Sequence, residues 1–200
     1  VAHVGAEMIV GGCRARECEM GVLIADAMLE SVKSQGVQIA IQNGGGIRAS
    51  LDTGEVTMGE ILTILPFQNT LSTFRVSGAT LLAALENGVS QVEEGAGRFP
   101  QVAGLTYAFD PAGTVGKRVS DVRVLHSGRA VPLDPVKLYS VVSNNYLRNG
   151  GDGYKMFKTA QDVYDFRPDL ADIVAEYMAA HAPYQPYLAG RIIEKYSSLY

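Results

Sequence analysis

Apolar and polar positions along this chain follow two periods, and each predicts a different kind of element. From Glu19 to Lys33 the spacing is helical: Glu19, Asp26, Glu30 and Lys33 share one face, and Met20, Leu23, Ala27 and Met28 the other. Gly36 is a natural stop, after which Val37-Gln38-Ile39-Ala40-Ile41 alternates as a strand. A short helix is expected over Met58–Ile64, closed by Pro66, because the residue before a proline avoids the helical region. Leu71–Val76 reads as a strand, and Ser77 can cap a following helix whose stripe is Leu81, Leu82, Leu85 and Val89. Further strands are expected around Leu105–Phe109, Val119–Leu125 and Leu138–Val142. A last helix starts near Pro168, with Leu170, Ile173, Val174, Tyr177 and Met178 at i, i+3, i+4, i+7 and i+8. Consecutive strands late in the chain suggest hairpins rather than strict βαβ alternation. The expected fold is α+β, a single domain over residues 1–200 with a mixed β-sheet flanked by helices.

Composition narrows the function classes. Seventeen Lys and Arg against 21 Asp and Glu leave a net charge of −4, which does not suit a protein that neutralises nucleic-acid phosphates. A hydrophobic content of 47% excludes a disordered chain. Charges such as Asp26 and Glu30 interrupt every apolar run, so no membrane span is expected. The chain opens Val1-Ala2-His3-Val4, with no initiator Met, basic leader or cleavage pattern. It is therefore expected to be a processed or excised piece, and the missing signal says nothing about compartment.

Catalytic machinery is scarce. His3, His126 and His181 stand in no metal-ligand or catalytic spacing, and no G-x-S-x-G elbow occurs. No metal site and no catalytic residue are expected in this chain. Cys13 and Cys18 are the only cysteines, and two buried thiols or a disulfide are both open. On one helix they would point ~140° apart, so a bridge needs Cys13 in a loop folded back on the helix start. Two glycine loops carry the remaining signal. Asn43-Gly44-Gly45-Gly46-Ile47-Arg48 offers unshielded backbone N–H groups and an arginine for a phosphate or sugar, or else forms a tight turn. Its formal dinucleotide fingerprint, Gly44-x-Gly46-x-x-Ala49, fails because Asp52-Thr53-Gly54 interrupts where a helix should begin. In Asn149-Gly150-Gly151-Asp152-Gly153 the carboxylate between glycines can accept two hydroxyl hydrogen bonds from a ribose, or serve only a turn. Phe67 and Tyr146 stand just outside turns, where an aromatic ring suits a flat ligand.

Four motifs in order carry a resemblance: Cys13-Arg14-Ala15-Arg16-Glu17-Cys18-x-Met20-Gly21, Asn43 to Arg48, Leu65-Pro66-Phe67, and Asn145-Tyr146-Leu147-x-Asn149 to Tyr154. Together they resemble the C-terminal domain of the 5′-nucleotidase family, which includes periplasmic UDP-sugar hydrolases and the animal ecto-5′-nucleotidase. The resemblance implies a two-domain phosphohydrolase. Its N-terminal metallophosphatase domain, absent from this chain, holds two divalent metal ions, and the C-terminal domain grips a nucleotide and delivers its phosphate to them. This chain alone is then expected to be inactive and to have that domain and a nucleotide or nucleoside as partners. By resemblance Phe67 and Tyr146 clasp the base, Asn43 lies near it, Asp152 holds the ribose hydroxyls, and Arg14, Arg48 and the Gly46 loop meet phosphates and sugar. Tyr146 stands where familiar members often have Phe, which keeps the ring and adds a hydroxyl. A Cys13–Cys18 disulfide and a periplasmic or extracellular location are likewise implied. The alternatives are a non-catalytic nucleotide sensor and a thiosulfohydrolase-like relative.

Overall fold

The computed structural model describes residues 1–165 and 167–196. The strands among them are β1 (Ala2–Val4), β2 (Ile39–Asn43), β3 (Gly54–Val56), β4 (Leu71–Ser77), β5 (Pro100–Ala103), β6 (Leu105–Phe109), β7 (Val119–His126), β8 (Arg129–Pro132), β9 (Leu138–Asn144), β10 (Gln161–Tyr164) and β11 (Ile192–Glu194). The α-helices are α1 (Glu19–Ser31), α2 (Met58–Ile64), α3 (Gly78–Val89), α4 (Asn145–Arg148) and α5 (Leu170–Ala180). The expected mixed sheet is five-stranded, in the order β10-β4-β9-β2-β5, with β2 and β9 parallel and the other pairs antiparallel. A β1-β3 ribbon and a four-stranded sheet, β11-β6-β7-β8, complete the domain. The hairpins expected late in the chain are the antiparallel β6-β7-β8 meander. None of the described helices is long and apolar enough to cross a membrane.

The central sheet is covered on both faces, which explains where sequence patterning misleads. Ala40, Leu71 and Val142 point into a core with Leu23, Ile24 and Met28 of α1 and Ile173, Val174 and Met178 of α5. Ile39, Ile41, Phe74, Val76 and Val141 point into a second core with Leu81 and Leu85 of α3 and with Phe157. A strand buried on both faces has no polar side to mark its limits. Thus β2 runs from Ile39 to Asn43 rather than from Val37 to Ile41, and all five of its residues are buried, Gln42 and Asn43 included. For the same reason α1 is buried at every position from Met20 to Ala25; it also ends at Ser31, and Lys33 belongs to a separate 3-10 turn.

Local chemistry sets the other boundaries. Thr57 and Glu60 form a capping box at the start of α2, and Ser77 Oγ accepts from the Thr80 N–H at the start of α3. The buried stripe of α3 is Leu81, Ala84, Leu85, Gly88 and the expected Val89, whereas Leu82 is 39% exposed. At 100° per residue Leu82 lies one step off that stripe, filled instead by the small Ala84 and Gly88. Helix α5 begins at Leu170 with Asp169 as its N-cap, so Pro168 precedes the helix and its carbonyl accepts the Leu71 N–H.

Candidate functional site

Sheet register gathers loops that are far apart in sequence. Parallel neighbours β2 and β9 end on the same edge, so the turn after Asn43 and the segment after Asn144 lie side by side. Strand β4 runs antiparallel to β9 and begins there too, with Leu71 opposite Asn144. Strand β5 runs antiparallel to β2, with Pro100 opposite Asn43. The loops carrying Phe67 and Gly97 therefore meet the two glycine loops beyond the carboxyl ends of the parallel pair, where open sheets of this kind form a crevice.

The crevice is a cavity of about 440 Å³ lined by Arg14, Asn43, Gly45, Gly46, Arg48, Phe67, Asn69, Gly97, Tyr146 and Asp152. All seven residues named from the sequence as binding candidates line it. A second cavity of about 390 Å³ adjoins it beyond Phe67 and shares Gly46, Phe67 and Asn69. Both rings are open to solvent, Phe67 at 56% and Tyr146 at 45% exposure. The Arg48 guanidinium stands 5.8 Å from the Phe67 ring centroid, and Arg14 Nη1 reaches the Gly95 carbonyl at 3.4 Å. Among the described residues neither arginine has an ion-pair partner. Two uncompensated guanidinium groups make this edge locally attractive to anions on an otherwise acidic chain.

Arg14 comes from the loop closed by the Cys13–Cys18 disulfide, whose Cα atoms lie 5.1 Å apart. Cys13 lies in a loop that folds back on the start of α1, and Cys18 is the helix N-cap. Gln101 of β5 ties this loop down: its Nε2 donates to the Cys13 and Arg16 carbonyls at 2.9 and 2.7 Å, and its Oε1 accepts from Cys18 N at 3.3 Å.

Of the two readings the sequence left open for the first glycine loop, the structure has the tight turn, a 3-10 turn at Gly44–Gly46. Gly44 N donates to the Phe99 carbonyl, Gly45 N to Gly97, Ile47 N to Gly44 and Arg48 N to Ile64. Those four amides are engaged within the protein and do not form a phosphate cradle. The glycines serve close packing instead: a Cβ on Gly44 would overlap the Cys13 carbonyl oxygen, and one on Gly45 would meet Gly97 Cα at 2.6 Å.

Asp152 is the most constrained group. Its φ of 53° lies in the left-handed region, and its carbonyl accepts from Asn87 Nδ2 at 3.0 Å. Tyr146 Oη donates to Oδ1 at 2.8 Å, and Asn43 Nδ2 donates to Oδ2 at 3.0 Å. Asn43 is in turn held by buried Asn144, whose Nδ2 donates to Asn43 Oδ1 and Gln42 Oε1, both at 2.9 Å. The hydrogen bond to Asp152, more than burial, raises the Tyr146 pKa and keeps its hydroxyl a donor.

A family model for the C-terminal domain of 5′-nucleotidase matches residues 1–159. The chain belongs to this family. The trifunctional nucleotide phosphoesterase protein YfkN of Bacillus subtilis is 40% identical over 184 residues, 90% of this chain and 13% of that protein. The 5′-nucleotidase of Homo sapiens is 34% identical over 194 residues, 90% of this chain and 34% of that protein. The crystal structure of a 5′-nucleotidase precursor from Thermus thermophilus has a TM-score of 0.94 at 43% identity, covering 97% of this chain and 39% of that one. The chain thus spans well under half of each of these proteins.

Within this 5′-nucleotidase C-terminal domain, sequence reasoning misses Asn69 and Gly97 in the lining and Gln42, Asn87, Gln101 and Asn144 behind it. The Asn69 carboxamide has no side-chain hydrogen bond among the described residues, although its carbonyl accepts the Leu170 N–H. Its place two residues beyond Phe67 is the one local signal that could have marked it. No group of three or more His, Cys, Asp or Glu side chains is placed to hold a metal ion among the described residues.

Proposed function

We propose that this chain is the nucleotide-recognition domain of a 5′-nucleotidase-type phosphohydrolase, one that binds the base and ribose of a nucleoside 5′-phosphate and presents the phosphate to metals held by a separate N-terminal domain. The observation that carries this reading is the convergence on a single cavity of two exposed rings, one hydrogen-bonded carboxylate and two arginines with no ion-pair partner among the described residues. These groups match the parts of a nucleotide: flat base, vicinal diol and anionic phosphate. Phe67 and Tyr146 offer faces to the base, and the free Asn69 carboxamide offers a donor and an acceptor to its edge. Asp152 accepts from the ribose, steadied by Asn43. Arg14 and Arg48 attract the phosphate, and the rings favour this reading over a sulfur-containing substrate. Export to the periplasm or cell exterior accords with the disulfide.

The test is titration of the isotope-labelled chain with adenosine and AMP, followed by amide shifts. Base–aromatic stacking is worth about 1–3 kcal/mol, so Phe67→Ala or Tyr146→Ala should weaken adenosine binding about 5- to 150-fold. AMP should bind tighter than adenosine, and Arg48→Ala should narrow that difference. The chain alone is expected to release no phosphate from AMP. Adenosine binding unchanged in both alanine variants would make the rings ordinary packing and end this assignment.

A further inference from the structure

We infer that the Tyr146 hydroxyl is a positioning group that sets the carboxylate of Asp152 for a vicinal diol, so that it governs discrimination between ribose and 2′-deoxyribose. This inference rests on the nucleoside reading of the cavity. A carboxylate on a half-exposed loop ordinarily rotates about its last bond, and a diol that must find both oxygens loses binding energy to that freedom. Here rotation is opposed at each oxygen. Tyr146 Oη donates to Oδ1 at 2.8 Å and Asn43 Nδ2 to Oδ2 at 3.0 Å. Each oxygen has two acceptor sites, so one remains on each, and a vicinal diol carries one donor for each.

The two donors are themselves fixed. Asn43 is 3% exposed and receives a hydrogen bond from Asn144, which is fully buried. The Tyr146 ring lies so close to Gly151 that a Cβ there would overlap it. The same residue therefore supplies a cavity wall and a hydrogen bond that orients the neighbouring wall. A phenylalanine at 146 would keep the first and lose the second.

At the diol position a 2′-deoxyribose keeps only its 3′ hydroxyl and needs only one oxygen, so it gains little from a fixed carboxylate plane. Losing the Tyr146 hydroxyl should therefore affect ribonucleosides selectively, whereas a general loosening of the fold would weaken both ligands together. Tyr146→Phe should weaken adenosine binding about 3- to 10-fold and 2′-deoxyadenosine binding less than about 2-fold, measured by amide-shift titration of the whole chain. In an Asp152→Asn background the same change should have no further effect, because the hydroxyl acts through that carboxylate. Equal losses for the two nucleosides, no loss for either, or additive losses in the double variant would overturn the positioning role. A parent chain that binds no adenosine would instead overturn the nucleoside reading, and this inference with it.

Discussion

Gly44 and Gly59 show how differently two glycines respond to the same methyl group. At Gly44 an added Cβ overlaps the Cys13 carbonyl oxygen, and the backbone on both sides would have to separate. At Gly59, inside α2, it meets only Thr57 Oγ1 at 3.8 Å. Gly44→Ala should cost about 1–3 kcal/mol, the usual scale of forced overpacking. Gly59→Ala should instead stabilise by roughly 0.5 kcal/mol, through helix propensity and a less flexible unfolded chain. Denaturant unfolding of both variants checks the pair. If the two shift alike, the close approach at Gly44 is not holding the disulfide loop against the glycine turn.

At the scale of elements, Arg118 latches the end of α3 to the start of β7. Its nearly buried guanidinium donates to Glu93 at 2.7 and 3.1 Å and to the Val89 and Gly113 carbonyls, both at 2.9 Å. The hydrogen bond from Arg118 holds the Glu93 pKa down at about 2, against an ordinary 4.5. A depressed carboxylate stabilises the fold above its unfolded pKa and loses that contribution as pH falls through its folded one. Thermal stability of the parent should therefore fall between pH 4.5 and about 2 more steeply than that of Glu93→Gln. Parallel curves for the two proteins would show that the latch contributes nothing. Such pairings mark the limit of what the sequence displays. Helices α1, α3 and α5 are legible because apolar stripes and caps are local, and the Phe67, Arg48 and Asp152 segments because Pro and Gly punctuate them. Gln101 and Asn144 are illegible because their partners lie 88 and 101 residues away. Strands β1, β3 and β11 have three residues each, too few to set a period.

For the whole molecule, the disulfide and Gln101 brace the same loop by independent means. Closing so short a loop contributes about 2 kcal/mol by chain entropy. Reduction should lower the melting temperature by roughly 4–8 °C and leave the chain folded, since Gln101 keeps its hydrogen bonds. AMP affinity should drop more than adenosine affinity, because the loosened loop carries Arg14; an equal drop for both would detach that arginine from the phosphate. The strand order β10-β4-β9-β2-β5 bears on how the protein is made. Strand β9 is synthesised after β2, β4 and β5, yet it lies between β2 and β4. A growing chain that stops short of residue 138 therefore holds two open strand edges facing a vacant central slot. Until the ribosome has delivered β9, those edges are open to pairing with other nascent chains.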